Sequence, residues 1–260
     1  MTKEQILYED KDIIVCFKPA GIAVQTSKVG QRDMVSEITN YCAQEKCGRD
    51  IYVGCVHRLD QPVEGMLVFA RNRKSAGALS RQIAENRMEK YYYAVVSAPE
   101  TAEKAKPEVG KETGGIHKVT LTDYLLKDNQ TNMSRVVPAG SKGAKEAVLE
   151  YEILGRKELL WENFSGRPFD GENAAAVALI RVHLITGRHH QIRVQMSHAG
   201  MSLLGDYKYA DERSKKLSGA MGQKNIALCA YGLNFAHPAT GKKLSFRIEP
   251  KGGIFQYFAG

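Results

Sequence analysis

The sequence predicts an α/β (α+β) chain with a mixed, largely antiparallel sheet flanked by helices. Short β-branched and aromatic runs recur along it, several separated by hairpin-like turn chemistry, as at Asp10-Lys11-Asp12 and Asp128 to Asn132. Other stretches repeat apolar residues at helical spacing behind a capping Asp or Asn. With 260 residues, 43% of them apolar, the chain can bury a sizeable core.

Taken in order, Ile6-Leu7-Tyr8 and Ile13 to Phe17 read as two strands around the first turn. Lys18-Pro19-Ala20-Gly21 ends the second, because Pro19 stops the ladder and Gly21 permits a positive φ. Asp33 suits a helix N-cap, with Met34, Ile38, Tyr41 and Cys42 as the buried stripe and Gly48 as the stop. A second helix starts behind Asn72 and buries Ala76, Leu79 and Ile83. Its other face carries Arg71, Arg73, Lys74, Arg81 and Arg87, which suits either solvent or phosphate.

Glu89 to Val96 is a strand by composition, with Tyr92, Ala94 and Val96 on one face. Residues 99–115 read as a connector and residues 162–173 as an exposed insertion. Strands are expected at Leu121 to Leu126, Met133 to Val137, Val148 to Leu154 and Ala174 to Leu184. A helix follows Thr186-Gly187 and ends at Gly200, with Ile192, Met196 and Ala199 inward and Arg193 pointing outward. A last hairpin joins Leu228-Cys229-Ala230 to Leu244-Ser245-Phe246 through His237-Pro238-Ala239-Thr240-Gly241.

Composition narrows the function. A formal net charge of +8 favours polyanionic partners, nucleic acid first. No apolar run approaches the ~20 residues that span a bilayer, no signal-peptide core follows Met1, and no basic amphipathic helix suggests a membrane surface. The five cysteines are scattered and include no CxxC pair, which points to reduced thiols in a cytoplasm. There is no Walker loop, Rossmann fingerprint or metal-ligand pattern, so no cofactor and no metal is expected. No obligate protein partner is evident.

The most informative stretch is Cys55-Val56-His57-Arg58-Leu59-Asp60-Gln61-Pro62-Val63-Glu64-Gly65-Met66-Leu67-Val68-Phe69-Ala70. It reads as an apolar entry strand, a polar loop and a buried strand. Rigid neighbours hold such a loop, which suits either a plain surface turn or a mounted catalytic carboxylate. A second stretch, Gly187-Arg188-His189-His190-Gln191-Ile192-Arg193, places two guanidiniums at the entry of a helix.

These two stretches carry a resemblance. His57-Arg58-Leu59-Asp60 with Gly65-Met66-Leu67 resembles the signature of the RluA-type RNA pseudouridine synthases. Lys18-Pro19-Ala20-Gly21, the Lys-x-Tyr step of Lys90 and Tyr92, the Gly-Arg-x-His-Gln-Ile-Arg stretch and Gly205-Asp206 with Tyr209 resemble its other motifs. The resemblance covers most of the chain and is weakest between Pro99 and Asn173. It implies a bent catalytic sheet, an RNA substrate (ribosomal or transfer) and Asp60 as the catalytic residue. It further implies Arg193 as the guanidinium paired with that carboxylate, and Arg58 as the side chain filling the space of a flipped base. Tyr92 would stack on the uracil. His57, Arg58, Arg188, Lys18 and Lys90 are the expected RNA-binding residues. Gln61-Pro62-Val63-Glu64 stands where many members have Arg-x-Thr-Ser. The chain starts almost at its first strand, so residues 1–260 are expected to form one catalytic domain without a separate N-terminal RNA-binding domain.

The chemistry fits the residue types. A carboxylate can attack the sugar or base, or remove a sugar proton to give a glycal. Burial would raise the pKa of such a carboxyl, and a guanidinium would oppose that. A stacked uridine cannot react, so it must be flipped out. Rival readings are a non-catalytic RNA-binding protein, a glycosidase-like hydrolase pairing Asp60 with Glu64 or Asp206, and a metal hydrolase on His183, His189, His190 and His198.

Overall fold

The computed structural model describes residues 2–26, 30–44, 51–97, 118–160 and 174–258. The Gly48 stop and all of the expected connector and insertion lie outside them. The chain divides into two compact units: residues 1–91 with 229–251, and residues 92–228 with 252–260.

In the first unit, strands β1 (Ile6–Glu9), β2 (Ile13–Lys18), β4 (Glu64–Ala70) and β10 (Leu228–Ala236) lie side by side in that order. The two-residue β3 (Gly54–Cys55) also pairs with β4, and β11 (Lys243–Arg247) with β10. β2 and β4 are antiparallel with Val15 opposite Val68, and β10 runs parallel to β4 with Cys229 beside Glu64. Every residue of β2 and β4 is buried, which explains why both read as unbroken apolar runs rather than alternating ones.

One face of these strands, Ile13, Val15, Met66, Val68 and Ala70, joins Leu79, Met88, Leu233 and Phe235 in a core. Each large side chain buried there contributes about 1.5–3 kcal/mol. Leu79 comes from α2 (Arg73–Ala84), where Asn72 caps the helix by accepting the Ser75 N–H at 2.8 Å. Helix α1 (Met34–Gln44) starts behind Asp33, whose carboxylate accepts the N–H groups of Ser36 and Thr26. Both caps are where the sequence places them, and Tyr41 and Cys42 are buried as expected.

In the second unit the strand order is β5 (Glu89–Ser97), β9 (Ala174–Leu184), β8 (Lys145–Leu160), β6 (Val119–Asp128) and β7 (Met133–Val137). The β6–β7 hairpin turns where expected. Asp128 accepts the Gln130 N–H and the Thr131 hydroxyl, and Asn132 takes a positive φ of 52°. β8 is longer than its apolar pattern, continuing past an irregularity at Ile153/Gly155 against β9.

Helix α3 (Gln191–His198) corrects one expectation. Its buried residues are the run from Gln191 to Met196, Arg193 included, while Ala199 is exposed. The polar members can be buried because they are bonded. Gln195 donates to Asp123 at 2.8 Å and to the Ala147 carbonyl at 3.1 Å, and Gln191 donates to the Val148 carbonyl at 3.1 Å. Helix α4 (Glu212–Ala220), capped by Asp211, was not expected.

Gly65, the second residue of β4, has φ +134°, a conformation L side chains rarely adopt. A Cβ there would collide with the Ala230 backbone N and lie 2.6 Å from its carbonyl oxygen. Gly65→Ala is therefore expected to cost about 1–3 kcal/mol. Urea denaturation checks this, and an unchanged midpoint would contradict it.

Candidate active site

The loop between β3 and β4 carries Asp60, half-buried, with Leu59 packed inside and Arg58 exposed. The Val63 N–H donates to the Asp60 carbonyl at 3.0 Å and closes the turn. The Lys-Pro-Ala-Gly segment latches this loop. The Gly21 N–H donates to the Gln61 carbonyl at 2.8 Å, and the Gln61 side-chain amide donates back to the Gly21 carbonyl at 3.0 Å.

Lys18 completes the latch. Its side chain is fully buried, and its ammonium donates to the carbonyls of Pro19 (3.0 Å), Ile22 (2.7 Å) and Gln61 (3.1 Å). An ammonium has three donors, and all three are spent. Lys18 therefore holds the Asp60 loop and has no donor left for a phosphate, in place of the RNA contact expected from sequence. Burial pushes its pKa down to about 8, while the charges of Asp60 and Glu64 pull it upward. Lys18→Met should take the ammonium donor from the Pro19 and Ile22 carbonyls, leave the Gln61 carbonyl only the Gly21 N–H, and loosen the loop. A displacement of about 1 Å at the chemistry costs on the order of 100-fold in rate, and single-turnover rates check this. Retention of the wild-type rate would contradict the latch.

Glu64 is the first residue of β4. It is buried and accepts the Lys251 N–H at 2.9 Å, so it anchors the chain after β11 beside the loop.

His57 accepts the Val68 N–H at Nε2 (3.1 Å), which leaves the proton on Nδ1 in the neutral ring. Burial, reinforced by the nearby Lys90 ammonium, depresses its pKa to about 3. His57 is thus neutral at pH 7 and brings no charge to a phosphate. In the unfolded chain it takes up a proton near pH 6.5. Between that value and about pH 3 the folded state loses stability as pH falls, by about 1.4 kcal/mol per pH unit. Thermal melts of His57→Asn at about pH 6.5 and pH 4.5 should show a shallower acid loss than wild type. Equal slopes would contradict the assignment. Lys90 is half-buried, and burial lowers its pKa too.

In the second unit, Arg193 is 6% exposed and grips Asp206 with a two-pronged fork: Nε to Oδ2 at 2.7 Å and Nη2 to Oδ1 at 2.8 Å. The Tyr209 ring lies 4.9 Å from the guanidinium carbon. Asp206 also accepts the N–H groups of Lys208 and Tyr209. The expected outward reach of Arg193 is thus replaced by a fixed, buried guanidinium. Asp206, which holds Arg193, is the partner that the sequence reading did not name. The signal was present in Gly205-Asp206 with Tyr209, thirteen residues after Arg193.

Tyr92 is buried on β5, on the face shared with Ala94 and Val96. Arg188 is exposed, its Nε donating to the Glu146 carbonyl at 2.7 Å.

The four histidines of the metal-hydrolase reading do not converge. His189 and His190 stack at 3.7 Å and bond to Ser134 and Tyr209, His183 faces Glu150, and His198 faces Asp123. Among the described residues, Asp10, Asp12 and His237 lie close enough to share an ion. Those groups are already engaged with each other and with Tyr8, Asn72 and Ser75.

Residues 12–198 match the family model of the RNA pseudouridylate synthases. The chain belongs to that family. Among its relatives, tRNA pseudouridine synthase C of Vibrio parahaemolyticus is 28% identical over 246 residues, covering 94% of this chain and 89% of that one. Ribosomal large subunit pseudouridine synthase D of Zymomonas mobilis is 30% identical over 253 residues, covering 94% and 68%. The solved human RNA pseudouridylate synthase domain containing 4 superposes with a TM-score of 0.65 at 21% identity, covering 95% and 89%. These relatives place the chain with the RluA-type pseudouridine synthases, which are isomerases. The fold expected from the sequence, a mixed and largely antiparallel sheet flanked by helices, is that of its structural neighbours.

Proposed function

We propose that this pseudouridine synthase converts uridines of a folded transfer or ribosomal RNA, with Asp60 as its catalytic carboxylate. The observation that carries the reading is the Asp60 loop itself. It is held between two strands and latched from below by a buried ammonium, so the carboxylate is presented by a rigid mount. The names of the relatives, acting on tRNA and on the large ribosomal subunit, support the substrate class.

In this mechanism the C1′–N1 bond of a flipped uridine breaks, the uracil turns, and a C1′–C5 bond forms. The proton on C5 leaves and N1 gains one, so atoms balance without a redox partner. Asp60 starts the reaction, by covalent attack or by removing a sugar proton. Arg193, oriented by Asp206, is the guanidinium that acts with Asp60. Tyr92 stacks on the uracil and takes the C5 proton. Arg58, exposed on the loop tip, fills the vacated space in the RNA. Arg188 and Lys90 contribute positive charge toward the backbone.

The test is to incubate the enzyme with unmodified tRNA and with large-subunit rRNA transcripts and to separate the nucleosides afterwards. Pseudouridine without free uracil is expected. Free uracil would support a hydrolase instead, and unchanged nucleosides with retained binding would support a non-catalytic RNA-binding protein.

A further inference from the structure

The second unit contains a cationic cleft of about 360 Å³ in which only Arg188 has been given a role so far. It is lined by Lys127 and Leu125 of β6, Lys145 of β8, Ser134 of β7, and Arg188 and His189 ahead of α3, among others. The register explains why they meet. Leu125 lies opposite Lys145, and Lys127 lies opposite Ser134. Leu125 and Lys127 are two residues apart on one strand, so all four project from the same face. The Ser134 hydroxyl lies 2.9 Å from His189 Nδ1, which ties the strands to the loop before α3. Arg188 is fixed from the side by the Glu146 carbonyl.

Among the described residues, no carboxylate lines this cleft. Glu146, next to Lys145 on β8, projects from the opposite face of the strand. Asp123 is engaged by Gln195 and His198, and Asp128 caps its own turn. Lys127, Lys145 and Arg188 are all exposed, so their charges face solvent. Two lysines and an arginine around one depression suit consecutive phosphates of a nucleic acid backbone better than a single small anion.

We propose that this cleft is a second RNA contact, separate from the Asp60 loop, that grips the sugar-phosphate backbone of the substrate through Lys127, Lys145 and Arg188. The proposal rests on the RNA substrate assigned above. It carries no sequence readout, because phosphate contacts position an RNA without reading its bases.

The test measures binding alone, by fluorescence anisotropy with labelled unmodified tRNA and, in parallel, large-subunit rRNA transcripts. The Lys127→Ala/Lys145→Ala double variant should bind on the order of ten- to thirtyfold more weakly at about 0.1 M salt. The slope of log affinity against log salt should become shallower by about 1.4–1.8. Lys127→Arg/Lys145→Arg should bind like wild type, which separates charge from a folding defect. A charge-matched control, Lys242→Ala/Lys243→Ala on the other unit's terminal hairpin, should not reproduce the loss. Unchanged affinity and slope in the alanine variant would overturn the proposal, as would an equal loss in the control. A protein that binds both RNAs through these lysines yet makes no pseudouridine would refute the catalytic reading and leave the cleft standing.

Discussion

Arg193→Ala is expected to destabilise the second unit by about 3–5 kcal/mol and to abolish measurable pseudouridine formation. The size follows from where Asp206 is left. Its carboxylate is 2% exposed and gives both oxygens to the guanidinium fork. Without that fork a buried negative charge keeps two backbone N–H groups and little else. Arg193→Lys tests the fork more finely, since a point charge cannot span both oxygens in a plane. Arg193→Met/Asp206→Asn separates stability from chemistry by removing both charges together. It should recover part of the lost stability in urea titrations and none of the activity. If Arg193→Lys turned over at the wild-type rate, or the double variant were active, Arg193 would be a structural residue only.

How much of this was readable beforehand depends on how local the cause is. The caps at Asp33 and Asn72 and the Asp128 turn are decided within three or four residues, and each is found where the sequence places it. β9 and β7 are likewise bounded as expected, because their apolar runs end at charged or glycine-containing segments. β8 outruns its pattern because its later residues, among them Arg156, Lys157 and Glu158, pair with β9 through backbone bonds that composition does not reveal. α4 was hidden because it has one large apolar buried residue, Leu217, and otherwise buries serines.

The site divides the same way. The polar loop with Asp60 and the order of the family's motifs are legible, and the match over residues 12–198 bears out the family. The burial of Lys18 and Arg193 was not foreseen, for one reason. A long cationic side chain reads as a surface group until its partners are known. Three carbonyls bury the first, and one carboxylate buries the second. The partners of Lys18 are backbone carbonyls, which leave no mark in residue type, whereas the partner of Arg193 is the Asp206 of a visible Gly-Asp motif whose pairing only the fold reveals.

The central claim is that the Asp60 carboxylate performs the isomerisation. Asp60→Asn keeps the size and most of the hydrogen-bonding capacity of the side chain and removes its charge and nucleophilicity. It should fold, melt and bind RNA as the wild-type enzyme does, because the loop is held by Lys18, Gly21 and Leu59. Pseudouridine, counted by nucleoside chromatography after a single-turnover incubation with unmodified tRNA and rRNA transcripts, is expected to fall at least about 10⁴-fold, to background. Pseudouridine formed by Asp60→Asn at a rate near that of wild type would contradict the account.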